Sequence, residues 1–497
     1  MSFISPNFFI FLAAAFGSYF VAPKRARWLV LLVASYVFYW FVGGLFAVSA
    51  ITFTLLTVYF AGAATFILRE HKASLWKRRL PLAICLTLNF GLLFFLIFSA
   101  QIVPRLGMLL IPGISFYTFQ AAGYLIDIYR GKVEAERNPL KLALFLSFFP
   151  QLVQGPISRH GEIASDLFAG HGWDWERSRR GVLKIIWGYF MWFVIASYAA
   201  PLVNTVFDNY QNFGGATIIF GVFVYSIQIY ADFAGGINIA MGIAEILGVK
   251  LPENFRQPFF ANSLTDFWRR WHITLTRWLR DYLFYPIALS KPLARFGKFT
   301  RKIFGNRVGK MLPTSIATFC VYFTMGVWHG AGAQILMFGV LNGALITAGL
   351  FAEPFLERLR KITKLRGEEP GKGRILAILR TLLLMMFLRY FARADSLEHA
   401  FGMLRQTFTN FRISELWNGT LLTLELGLTD FAILAFGVIL LFARDLITEK
   451  EIDCRDQLGK SRPIVQFAVL AVLLVSITWF GIYSGGALGA NFIYAAH

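Results

Sequence analysis

Charge is scarce in this sequence. Only 15% of its 497 residues are Asp, Glu, Lys or Arg, while 57% are hydrophobic; soluble domains carry roughly 25% charged residues. That balance excludes a soluble globular domain, a disordered chain and a fibrous repeat. Cysteine is scarcer still. Cys85, Cys320 and Cys454 stand far apart with no CxxC pair, which leaves no disulfide scaffold, zinc knuckle or redox motif. A Walker loop, a GxSxG elbow, HExxH and a dinucleotide fingerprint are all missing, so ATPase, serine hydrolase and zinc protease readings have no support. No His, Cys or carboxylate pair has ligand spacing, and no metal site is expected.

Acidic residues are the minority sign: 28 Asp and Glu against 48 Lys and Arg leave a formal net charge of +20. In a soluble chain that excess would suggest nucleic acid. In a membrane protein it follows from the accumulation of Lys and Arg in short cytoplasmic loops, so no nucleic-acid partner is expected.

What the sequence has in abundance is apolar runs. They fall near 7–22, 28–44, 45–67, 80–99, 106–127, 183–207, 214–247, 313–328, 334–352, 375–392, 429–443 and 464–484. Each is close to the length of a membrane-crossing helix. The pattern predicts an all-α integral membrane protein of about 11–12 transmembrane helices, a single polytopic domain over 1–497 with a flexible-looking stretch at 366–374. The first run is followed, not preceded, by Lys24, Arg25 and Arg27, the order of a retained span rather than a cleaved signal peptide. Basic clusters occupy alternate connections, at 23–27, 69–79, 130–141, 159–184, 249–310, 358–380 and 444–462. By the positive-inside rule these are cytoplasmic and both termini face outside.

Two segments fit no plain span. Residues 139–158 begin apolar but contain Pro150, Gln151, Gln154, Gly155 and Pro156. Such a piece survives at membrane depth only if buried in protein or lining a cavity, and it reads as re-entrant. In 266–286, a helical repeat places Trp268, Trp271, Leu275, Trp278, Leu279 and Tyr282 on one face and Arg269, Arg270, Arg277, Arg280 and Asp281 on the other. This predicts an amphipathic helix lying in the cytoplasmic interface, with His272 and Thr276 on the border between faces.

Few residues in these apolar runs could carry chemistry. His329 lies in GVWHGAG at the end of one run; ionisable groups at membrane depth tend to face cavities and mark function. The alternative is a histidine capping a helix end. Gly326, Gly330 and Gly332 would leave room for a hydroxyl to approach the imidazole, or would serve close helix packing. His272, beside several arginines, could act chemically or contact lipid headgroups. Asp232, in YADFAGG, could meet substrate or pair with a buried arginine.

FWRRWHITLTRWLRDYLFYP, GVWHGAG and YADFAGGINIAMGIAEILGVKLPENF together resemble the membrane-bound O-acyltransferase family, and more closely its bacterial branch of alginate and peptidoglycan O-acetylation membrane proteins, with the teichoic-acid D-alanyl transfer protein as a cousin. The likeness runs from ISFYTFQAAGYLID at 114–127 through FFPQLVQGPISR at 148–159 to FARADSLEHA at 391–400. It implies a catalytic core at about 106–352. It also implies that His329 matches the family's intramembrane catalytic histidine and His272 its second functional histidine. Trp268, Arg269, Arg270, Trp271, Trp278, Arg280 and Asp281 match the flanking motif, and Asp232, Asn238 and Gln151 join them as candidate donor- or acceptor-binding positions. Relatives often read DFSGYSD where this chain has Asp232 to Asn238, with Gly236 and Asn238 in place of Tyr and the second Asp.

The resemblance further implies a bacterial inner-membrane enzyme with no resident cofactor. Its donor is an acyl thioester, acetyl-coenzyme A foremost, and its acceptor an extracytoplasmic hydroxyl. His329 would be the general base, while His272 would orient the donor or stabilise the oxyanion. A separate extracytoplasmic acetyltransferase would pass the acyl group to a cell-surface polysaccharide. D-alanyl transfer from a carrier protein is the competing acyl chemistry. A proton-coupled transporter is the competing class, although no inverted repeat is visible.

Overall fold

The computed structural model describes residues 1–99, 103, 111–330, 332–363 and 371–482. Among these, every regular element is helical, and the one extended pairing is an isolated antiparallel bridge between Phe255 and Trp271. Helix is what an apolar chain must adopt in lipid, because only it satisfies all backbone groups within one segment.

Each of the twelve apolar runs falls on a helix. Among the described residues nine helices are long and apolar enough to cross a bilayer, and Pro6–Val21 is a shorter one. The two predicted spans, 28–44 and 45–67, are two helices within Arg27–Glu70 that meet at a kink at Gly44 (φ 63°, ψ −158°). That backbone conformation suits glycine, and 44 residues amount to about 66 Å of helix, twice a hydrocarbon core. The run at 106–127 appears as Ile114–Tyr129; its first residues, 106–110, the linker residues 366–370 and the end of the last run, 483–484, lie outside the described residues.

Residues 139–158 form no full-length span. Asn138 caps a nine-residue helix, Pro139–Ser147, by accepting from the Leu140 and Lys141 amides. At about 14 Å it is less than half a bilayer core. One turn, Phe149–Leu152, follows, and the chain then runs without regular structure to Arg159. Leu142 through Leu152 are all buried.

Among the described residues the chain divides into two compact units: Met1–Phe190 with Phe233–Glu253, and Met191–Asp232 with residues 254–482. In the first, glycines let two helices touch backbone to backbone. A Cβ on Gly188 would lie 2.6 Å from the Gly235 carbonyl oxygen, and one on Gly181 would lie 2.7 Å from that of Gly242. The small residues stand seven apart on both helices, the close-approach device of membrane helix pairs.

In the second unit Lys291–His329 packs against Ala333–Thr363 in the same manner, a Cβ on Gly326 falling 3.2 Å from the Gly339 Cα. A charged clasp ties three further helices. Arg270, at the end of Leu264–Arg270, meets Glu449 at 2.6 Å and Asp266 at 3.1 Å, and Arg374 meets the same Glu449 at 2.6 Å.

Candidate active site

The predicted amphipathic helix over 266–286 is interrupted at its centre. Leu264–Arg270 ends at Trp271 (φ −105°, ψ 127°), His272 takes a left-handed conformation (φ 45°, ψ 54°), and Ile273–Leu279 begins a new helix. A π-helical turn, Arg280–Phe284, follows. The cause lies in a distant segment: Arg256 N–H donates to the Arg270 carbonyl and Ile273 N–H to the Asn254 carbonyl, both at 2.9 Å. These bonds satisfy the backbone groups freed by the break. A left-handed non-glycine residue costs about 1–2 kcal/mol and tends to occur where function needs it. The apolar face survives because each half keeps its own helical repeat: Trp268, Trp271, Leu275, Trp278, Leu279 and Tyr282 are all buried.

His272 is 2% exposed, and Asn254 fixes its protonation. The Asn254 Oδ1 accepts from the Thr274 amide (3.1 Å) and hydroxyl (2.8 Å) and lies 3.1 Å from His272 Nδ1. A backbone amide only donates, so this side-chain atom is oxygen, and an oxygen acceptor requires the proton on Nδ1. Burial pushes the His272 pKa down to about 3. The ring is therefore neutral at physiological pH, with its lone pair on Nε2: as placed, His272 is a hydrogen-bond acceptor.

His329 ends the Lys291–His329 helix, half-buried, and Gly330 after it adopts φ 144°, ψ 177°. The glycines of GVWHGAG thus have structural tasks: Gly326 serves helix contact and Gly330 the turn that stops the helix. Trp328 neighbours both histidines, its ring 4.5 Å from that of His329 and 6.3 Å from that of His272. The imidazole centroids are accordingly within about 11 Å of each other. Both histidines thus belong to one unit and neighbour one buried indole.

The other candidates divide by what holds them. Trp268 donates from Nε1 to Asn342 Oδ1 at 3.1 Å, and Trp271 carries the Arg389 guanidinium over its face at 5.0 Å. Trp278 packs on Tyr282 at 5.1 Å. The Arg270 cation is committed to Asp266 and Glu449. Arg280 is half-exposed on its neighbour Asp281 at 2.8 Å, and Arg269 is exposed. Asp232 is buried, its carbonyl accepting from Trp192 Nε1 at 2.7 Å. Within the first unit, Asn238 Nδ2 donates to the Ala234 carbonyl at 2.7 Å, and the buried Gln151 accepts from Ser158 at 2.8 Å.

Asn254 and Arg389 escape a reading of the sequence. Asn254 sits in LPENF, whose only local feature is a proline, and its role exists only through the long-range bridge. Arg389, 4% exposed in Lys372–Arg393, did carry a signal: it is an arginine inside an apolar run. Beside it lies a cavity of about 10 Å³, also lined by Ser226, Thr381 and Phe267, room for one water molecule.

Comparison with known proteins identifies the family. A profile of the membrane-bound O-acyltransferase family matches residues 132–364, which contain both histidines. A protein of Azotobacter vinelandii described as probable alginate O-acetylase AlgI is 30% identical over 92% of this chain and 89% of its own length. The Helicobacter pylori peptidoglycan O-acetyltransferase is 30% identical over 68% of both chains. The Bacillus subtilis teichoic acid D-alanyltransferase is 30% identical over 50% of this chain and 61% of its own. Apolar helices in number and these relatives converge: the chain belongs to the membrane-bound O-acyltransferase family and is a multi-pass membrane O-acyltransferase.

Proposed function

We propose that the protein takes an acetyl group from acetyl-coenzyme A on the cytoplasmic side and delivers it to a hydroxyl presented from outside, in the service of cell-surface polysaccharide O-acetylation. The observation that carries this reading is the placement of His272 and His329 about Trp328 in one unit. His329, half-buried at a helix end, is the general base. It removes the proton of the acceptor hydroxyl as the oxygen attacks the thioester carbonyl. The tetrahedral intermediate then expels the thiolate, breaking the C–S bond, and the imidazolium returns the proton to sulfur. A thioester leaves readily, so positioning and one base suffice.

The protonation state of His272 narrows its part. A neutral ring with its proton held by Asn254 offers a lone pair at Nε2, so it orients a donor amide or hydroxyl rather than hydrogen-bonding an oxyanion. Trp268, Trp271 and Trp278 wall the site, with Arg269, Arg280 and Asp281 toward the donor entrance; Asp232, Asn238 and Gln151 are proposed as donor- or acceptor-binding residues. Alternating basic loops support a cytoplasmic-membrane location with both termini outside. The immediate acceptor is proposed to be a separate extracytoplasmic acetyltransferase, which acylates the polysaccharide. A second reading, D-alanyl transfer from a carrier protein, has the Bacillus relative in its favour, but over half of the chain rather than nine-tenths.

The test is transfer from radiolabelled acetyl-coenzyme A by protein in nanodiscs, wild type beside His329→Ala, with thioester loss followed in the same tubes. Loss of turnover with donor binding retained in the variant is expected. Equal turnover in both would overturn the role of His329. Turnover with D-alanyl carrier and none with acetyl-coenzyme A would favour the second reading.

A further inference from the structure

The helix Lys291–His329 doubles back on itself before it enters its apolar half. Gly305, at φ 75° and ψ 173°, makes the bend. The two limbs then lock together: Thr300 Oγ1 donates to the Gly309 carbonyl at 2.9 Å, and a Cβ on Gly297 would stand 3.1 Å from Pro313. The bend is therefore a fixed element. It carries Lys291, Arg295, Lys298, Arg301, Lys302, Arg307 and Lys310, and no acidic residue occurs between Asp281 and Glu353. Among the described residues none of these cations pairs with a carboxylate. The same limbs expose Phe299, Ile303 and Phe304 at 55–58%.

A groove of about 530 Å³ opens beside the bend, lined by Asn306, Arg307, Lys310, Met311, Thr314 and Leu350. Its size falls in the range of small-molecule sites. Two cations, an amide and a hydroxyl suit a phosphodiester, while Met311 and Leu350 offer apolar surface next to it. Charged residues end at Lys310 and the chain is then uncharged to Trp328, which puts the groove at the boundary between headgroups and hydrocarbon. Exposed phenylalanines beside lysines are how a helix seats itself in that boundary.

We propose that this groove binds the headgroup of an anionic phospholipid, its phosphate held by Arg307 and Lys310 and its glycerol end laid against Met311 and Leu350. A soluble phosphate compound has no use for the apolar wall or the exposed rings, and a zwitterionic lipid does not match seven unpaired cations. The proposal is independent of the acyl donor assigned above.

Native mass spectrometry of the full chain released from nanodiscs of equal phosphatidylglycerol and phosphatidylcholine tests it. The wild type should retain phosphatidylglycerol, and Arg307→Gln/Lys310→Gln should reduce that preference by about thirtyfold, the product of two interfacial cation contributions. Lys72→Gln/Lys77→Gln, on another exposed basic connection, should leave it intact. Both groove cations are exposed, so unfolding temperature in phosphatidylcholine alone should not move; should the double variant prove unstable, Lys310→Glu replaces it. Equal retention by wild type and groove variant, no preference in the wild type, or equal loss in the Lys72/Lys77 variant would each overturn the site. Lost coenzyme A binding with lipid preference unchanged would assign the groove to donor phosphates and also overturn it.

Discussion

The tightest test of the site is at Asn254, which touches no proposed reacting atom. Its Oδ1 receives the Thr274 amide, the Thr274 hydroxyl and His272 Nδ1. In Asn254→Leu, of similar volume, the hydroxyl can turn elsewhere, but the Thr274 amide and the imidazole N–H cannot. Two buried donors without acceptors cost about 1–3 kcal/mol each, so stability should fall by about 2–6 kcal/mol. The imidazole can recover part of this by moving its proton to Nε2, and that exchange removes the lone pair on which its proposed role depends. We expect kcat to drop by about 10²-fold, the cost of a misplaced positioning contact. Asn254→Asp separates this from plain destabilisation. It keeps all three acceptor contacts but adds a charge whose centre lies about 4 Å from that of the imidazolium, worth about 4 kcal/mol at an effective dielectric near 20, hence about 3 pH units. The His272 pKa should rise from about 3 towards 6, and the acidic limb of the kcat profile should move up with it. Thioester turnover between pH 5 and 8 reads both effects. A folded Asn254→Leu protein with wild-type kcat, or an Asn254→Asp profile that does not move, would refute the coupling.

Other outcomes follow from the same contacts. Because His272 resists protonation when folded but not when unfolded, stability should be full above pH 6.5 and fall below it by about 1.4 kcal/mol per pH unit, reaching about 2 kcal/mol at pH 5; thermal unfolding should show this fall reduced in His272→Gln. Glu449→Gln leaves Arg270 and Arg374 without their shared carboxylate. Discounted for partial exposure, the expected loss is about 2 kcal/mol, read as a lowered unfolding temperature that Arg374→Gln in the same protein partly restores. Gly188→Ala sets a Cβ 2.6 Å from the Gly235 carbonyl and should cost about 1–3 kcal/mol, whereas Gly17→Ala, which meets nothing within 4 Å, should be neutral or stabilising.

The sequence by itself determined that this is a helical membrane protein, because apolar runs of about 20 residues with few charges are long enough to span lipid as helices, which satisfy every backbone group within one segment. It marked 139–158 as no plain span by its glutamines and prolines, and singled out His329 as a candidate by an ionisable group where one is costly. The buried face of 266–286 was legible as well, since burial follows a local repeat that each half-helix retains. What the tertiary structure alone decided is where that repeat breaks. The strand-like bond exchange of 254–256 with 270–273 joins segments whose pairing leaves no periodic trace. That exchange turns His272 left-handed and brings Asn254 to its Nδ1, and in so doing sets which nitrogen carries the proton. It was likewise packing that gave Gly326 to a helix contact and Arg270 to Glu449. A residue's type states what it can do, and only its neighbours, drawn from distant points of the chain, decide which of those things it does.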